Sequence, residues 1–275
     1  PGSPTPSRGL PRRHRMTAAA ALEARRVPIT SLALAAAAIL AWLLTISWIR
    51  VADMGAMPGT MGMSLLSFVV MWGLMMSAMM LPSVAPFVLS YRATLVDHRG
   101  TRLTGLALGY LLTWTAVGVV AFIIAGWFGD LAADRANVAQ GVAVGTFTLV
   151  GLFQLSPLKF RCLSHCRSPL GHLMHYLGFV GRWRDVRAGV SHGWFCLGCC
   201  WALMLLMIAF GVMNVGAMVG LAAVIAVEKL WRHGETFARV FGAACLAFAV
   251  LVIFEPGLAP GLDPDGLNQM QNMGM

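Results

Sequence analysis

A histidine, three cysteines and two methionines lie close together in one apolar run, HGWFCLGCCWALMLLM, over 192–207. On a helix each residue turns about 100°, so His192, Cys196, Cys199, Cys200 and Met207 fall within an arc of roughly 100°, with Met204 beside it. Thiol, thioether and imidazole groups stacked on one helix face are ligands for a soft metal. Lone cysteines in apolar helices behave as small hydrophobes, and Cys245 is read that way. Three cysteines in quick succession, one turn after a histidine, point instead to ligation.

A second pair, Cys162 and Cys166, is spaced so that a helix would put both thiols on one face. His165 lies between them. His172 and His175 follow on the same basic stretch and are expected to line an interface. The chain also holds 18 methionines. Met71, Met75 and Met79 recur every fourth residue, with Met76 and Met80 beside them. Met54, Met57, Met61 and Met63 cluster in DMGAMPGTMGM. Such stripes serve core packing as readily as ligation. Met270, Met273 and Met275 are expected to carry no role. The mix of thiolate and thioether ligands favours Cu(I). Zinc would use Cys and His but has little use for methionine, and is the less suited ion.

The elements that must position these residues are membrane helices. The chain has 275 residues, of which 58% are hydrophobic and 11% charged, against about 25% charged in soluble domains. The expected fold class is an all-α membrane protein, a bundle of about seven transmembrane helices. Spans are predicted near 29–49, 64–90, 103–127, 137–157, 190–212, 215–230 and 236–254. The first is longer than the core of about 7–15 residues in a cleaved signal peptide, so a retained anchor is expected. Residues 1–27 read as a disordered basic tail, 28–255 as a single transmembrane domain and 256–275 as a polar, Met-containing tail. Pro82 is expected to kink the second span. Gly105 with Gly109, and Gly141 with Gly145, have the spacing that lets membrane helices approach closely. The stretch 158–189 reads as a long basic loop with an interfacial helix in its middle.

The net charge is +9. With the N-terminus in the cytoplasm and seven spans, all 20 lysines and arginines except Arg50 and Arg135 fall on the cytoplasmic side. The positive-inside rule then predicts a multi-pass protein of the bacterial inner (plasma) membrane, N-terminus in and C-terminus out. Orientation in the lipid bilayer accounts for the basic charge, so no nucleic-acid partner is needed. The Cys162/Cys166 pair then faces a reducing compartment, which favours thiols over a disulfide.

Glu228, at the inner end of the sixth predicted span, is an ionisable group at membrane depth and a functional candidate, although Lys229 could pair with it. Asn214 reads as a cap or turn residue. No G-x-x-x-x-G-K-[ST] loop occurs, so no P-loop in this chain powers transport.

The runs FQLSPLKFRCLSHCRSP, HGWFCLGCCWALM, GVMN and EK, with MWGLMMSAMMLPS before them, resemble an uncharacterised bacterial family described as predicted metal-binding integral membrane proteins. The resemblance covers about residues 64–235. It implies metal binding without naming the metal, and it places the family's characteristic positions on Lys159, Cys162, Cys166, His192, Cys196, Cys199, Cys200, Asn214, Glu228 and Lys229. Taken together, the expectation is a binding protein rather than an enzyme. It would hold Cu(I) and move it across the membrane or hand it over. Its partners would be a copper chaperone or a copper-containing membrane enzyme. Two alternatives remain open: an assembly subunit that loads such an enzyme, and a membrane thiol-disulfide oxidoreductase using the same cysteines.

Overall fold

A computed structural model describes residues 12–51, 60, 62–134, 136–167, 176, 178–211, 214–255 and 258. The described residues are helical, with no strand among them. The helices are α1 (Arg12–Val51), α2 (Leu65–Ala93), α3 (Arg99–Asp134), α4 (Ala136–Leu155), α5 (Pro157–Arg167), α6 (Arg184–Phe210), α7 (Val215–Leu230) and α8 (Gly234–Phe254). Helix α1 already begins at Arg12, inside the stretch expected to be tail.

Among the described residues, five helices are long and apolar enough to cross a membrane: Ile29–Val51, Leu65–Ala93, Arg99–Trp127, Arg184–Met207 and Gly234–Phe254. A sixth span exists only if Gln140–Leu155 and Pro157–Arg167, bent by 64° at their junction, count as one. The sixth predicted span, 215–230, is α7 and has 16 residues. At about 1.5 Å per residue it reaches about 24 Å, short of a hydrocarbon core of about 30 Å.

The bend between α4 and α5 has a local cause. Proline disfavours helical geometry in the residue before it, and it suits the first position of a new helix. Ser156 therefore leaves α4 and caps α5: its hydroxyl oxygen accepts from the Lys159 backbone N–H at 3.2 Å. The start of the stretch expected as a basic loop is thus a helix folded back onto the bundle, with Lys159 and Leu163 fully buried, while most of the middle of that stretch, where an interfacial helix was expected, lies outside the described residues. Pro82 and Pro86 both lie inside the continuous α2.

Helix α3 packs along α6, α4 along α8, and α1 on α2. Glycine makes the first two seams possible. A Cβ on Gly109 would fall onto the Val186 carbonyl oxygen of α6, and one on Gly189 onto the Leu106 carbonyl oxygen of α3. Gly105 meets the same helix, 3.3 Å from the Asp185 side chain. The second seam is not made by the expected pair. A Cβ on Gly141 or Gly145 would meet nothing within 4 Å, whereas one on Gly151 would lie 2.9 Å from the Gly242 carbonyl oxygen. Spacing alone cannot say which face of α4 meets a partner. Gly189→Ala should cost about 1–3 kcal/mol through forced separation of α3 and α6, read as a lowered thermal midpoint in detergent. Gly141→Ala should leave that midpoint unchanged; an equal loss from both would refute the assignment of the seams.

Candidate metal centre

The α6 face carrying Cys196, Cys199 and Cys200 turns inward, and each of these residues is 1% exposed. Helix α5, swung over by the Ser156–Pro157 break, lies against it. The Cys166 and Cys199 sulfurs are 3.8 Å apart, on two different helices. Two sulfurs bound to one ion at about 2.3 Å and a tetrahedral angle would sit about 3.8 Å apart. Cys162 is half-buried, and its sulfur lies 3.0 Å from where a Cβ on Gly198 would be. A larger residue at 198 would push α5 off the cysteines. All six cysteines are free thiols.

The thiols sit in a polar network. Cys199 and Cys200 donate their S–H groups to the Cys196 carbonyl oxygen at 3.1 and 2.8 Å. The Cys196 sulfur faces the Tyr110 hydroxyl at 3.1 Å and receives the Lys229 ammonium at 3.0 Å. Lys229 also donates to the Ser83 hydroxyl at 3.4 Å. Four helices, α3, α5, α6 and α7, therefore meet at these sulfurs, and α2 reaches them through Ser83 on Lys229.

Glu228 does not pair with its sequence neighbour. Its carboxylate accepts from the Lys159 ammonium at 2.7 Å and from the Gln154 amide at 2.6 Å. Lys159 also donates to the Cys199 carbonyl oxygen at 2.6 Å. Both charged side chains are almost wholly out of solvent, at 0% and 2% exposure. Arg167 ties α5 to the end of α7, donating to the carbonyl oxygens of Glu228 at 2.6 Å and Arg232 at 3.0 Å.

Other candidate ligands lie elsewhere. The His192 ring stacks on Phe87 with centroids 3.7 Å apart, among Tyr110 and Tyr176. The His165 ring stacks on Phe195 at 3.6 Å. Met71, Met75 and Met79 are buried in the apolar core. Met204 and Met207 line an apolar cavity of about 500 Å³ with Trp72, Trp114 and Gly198. Asn214 caps α7, its side chain accepting from the Ala217 N–H at 3.1 Å. Met63 packs on the core. Met54, Met57, Met61, His172, His175 and the three terminal methionines lie outside the described residues. Tyr110, Ser83 and Gln154 were not foreseen. A polar group inside an otherwise apolar helix was the available signal for each.

Among the described residues no three His, Cys, Asp or Glu side chains are already disposed around a common ion position. The hydrogen bonds explain why. Two thiols are turned onto a carbonyl and the third sulfur is occupied by Lys229 and Tyr110. The sulfurs are close, but the cluster is closed.

Fold and site together define a class: described residues that are all helical, helices of membrane-crossing length, and a cluster of thiols gathered where the short α5 crosses α6. The chain belongs to the PpoB2 family, described as copper chaperone, which it matches over residues 69–252. That span takes in α2 to α8 and overlaps the 64–235 resemblance, and it names copper where the resemblance named no metal. No match is found among curated proteins or among solved structures.

The Lys159–Glu228 pair gives a test of how the centre is held. Lys159→Met alone strands the Glu228 carboxylate in a dry interior and should cost about 3–5 kcal/mol of stability. Lys159→Met with Glu228→Gln should recover most of that loss, because no uncompensated charge remains. Unfolding of the two variants in detergent decides it; equal destabilisation would mean that the pair is not coupled.

Proposed function

We propose that this protein holds Cu(I) as cargo at a thiolate site made by Cys166, Cys196 and Cys199, flanked by Cys162 and Cys200, and hands it to a copper-containing membrane enzyme. The observation that carries this is the 3.8 Å approach of the Cys166 and Cys199 sulfurs across α5 and α6. Membership of a copper chaperone family supports copper as the ion.

The closed state of the thiols suits a carrier. Loading requires Cys199 and Cys200 to turn off the Cys196 carbonyl and each ligating thiol to release its proton, and unloading returns both the protons and the hydrogen bonds. Thiolates give Cu(I) a soft site with few ligands, so an incoming soft ligand can add before the old one leaves. Cys162, half-buried at the edge of the cluster, is the natural first and last contact. The buried methionines of α2 and the cavity lined by Met204 and Met207 extend soft groups away from the cysteines along the bundle.

The orientation follows from charge. Arg102 of α3 pairs with Asp185 at the start of α6 at 3.0 Å, and Arg167 at the end of α5 donates to the Arg232 carbonyl oxygen beyond α7, so basic residues lie at these helix ends. In this reading the positive-inside rule turns these basic helix ends to the cytoplasm of a cell whose inner membrane holds the protein. Cys162, Cys166 and the mouth of α6 then lie toward the reducing side.

Replacing Cys196, Cys199 and Cys200 together with serine should lower copper co-purified from copper-supplemented cells by more than about tenfold. Cys245→Ser, whose thiol is buried on α8, should retain it. Metal analysis of the purified chains reads both, and unchanged copper in the triple variant would end this reading.

A further inference from the structure

The fixed charges around the sulfurs do not cancel. Lys159 and Glu228 neutralise each other at 2.7 Å. Lys229 is 8% exposed, and its described contacts are the Cys196 sulfur at 3.0 Å and the neutral Ser83 hydroxyl at 3.4 Å. Tyr110 and Gln154, the other polar side chains of the network, carry no charge. Arg167 sits at the rim against the backbone carbonyls that end α7. One positive charge is therefore built into the wall of the thiol cluster, in surroundings that screen it poorly.

We infer that Lys229 is a specificity-determining residue that selects the charge of the bound ion, favouring a monovalent soft cation over a divalent one; this rests on the copper reading above. A fixed ammonium beside the sulfurs repels a divalent ion twice as strongly as a monovalent one at the same position. However many thiolates the ion meets, the ammonium of Lys229 takes back more of the attraction from a divalent ion than from a monovalent one, so its own contribution to selectivity favours the monovalent ion. Ligand softness alone does not separate Cu(I) from soft divalent ions such as Cd(II), and zinc also accepts thiolate sites. Charge can make that separation where softness cannot.

Ag(I) and Cd(II) form a clean probe pair, because both are soft ions with filled d shells and they differ by one unit of charge. Their affinities are measured by competition on the full-length protein in detergent. The unaltered protein should prefer Ag(I). Lys229→Met should move the Ag(I)-to-Cd(II) affinity ratio about 100-fold toward Cd(II), whereas Lys229→Arg, which keeps the charge, should stay close to the unaltered ratio. Ser83→Asp sets a carboxylate beside Lys229 without removing it and should shift the ratio in the same direction as Lys229→Met, so the test survives if one variant fails to fold. An unchanged ratio in a folded charge-neutralised variant, with Ag(I) still bound, overturns the role of Lys229 and leaves the copper site standing. Failure of the unaltered protein to bind either Ag(I) or Cu(I) overturns both.

Discussion

Two lysines and one glutamate are buried at the same place in this bundle, and the arrangement of the centre follows from how their charges are met. An ionised group in a dry interior must find an opposite charge or dense hydrogen bonding. Glu228 can serve only one lysine closely. Lys159 takes it, at 2.7 Å. Lys229 is left to a sulfur and a hydroxyl. The cysteines are thus part of the charge balance of the fold as well as candidate ligands. Removing the ion pair would disturb the sulfurs through Lys159, which also holds the Cys199 carbonyl.

Bringing these groups together requires α5 to cross the face of α6, and two small features allow it. The Ser156–Pro157 step turns the chain by 64° immediately before Lys159, Cys162 and Cys166. Gly198 then lets the Cys162 sulfur come close to the α6 surface. On the far side, Gly109 and Gly189 let α3 lie backbone to backbone on α6, which carries Tyr110 to the Cys196 sulfur. The chemistry of the centre is delivered by one break and a few absent side chains.

The helical class, the inward face of Cys196, Cys199 and Cys200, and the α3 seam at Gly105 and Gly109 were legible in the residues. All three follow from the fixed rotation of an α-helix, which sequence spacing reports directly. What was not legible depends on long-range partners. Glu228 and Lys229 are adjacent in the chain and invited pairing, yet successive helical side chains point about 100° apart. One therefore faces α4 and α5, and the other faces α2 and α6. His192 shares the cysteine arc, but Phe87 of α2 occupies the space over its ring. Helix α5 read as loop because its basic residues masked the burial that Lys159 gains from Glu228. Helix α7 is apolar enough to read as a span, and its length of 16 residues is what sets it apart from the five helices of membrane-crossing length.

The centre is gathered without being open, and that combination bears on release as much as on capture. A site with its thiolates already splayed around the ion position would hold Cu(I) tightly and give it up slowly, since little is regained when the ion leaves. In the proposed role, departure of the ion with uptake of protons would restore two S–H hydrogen bonds to the Cys196 carbonyl and the full contact of Lys229 and Tyr110 with the Cys196 sulfur. Each restored contact offsets part of the metal–sulfur bonding lost, in surroundings where hydrogen bonds to charged groups are strong. The affinity of such a site is a difference between two satisfied states rather than the strength of one. Passing a cargo to an acceptor with comparable ligands, as the proposed role requires, depends on that small difference.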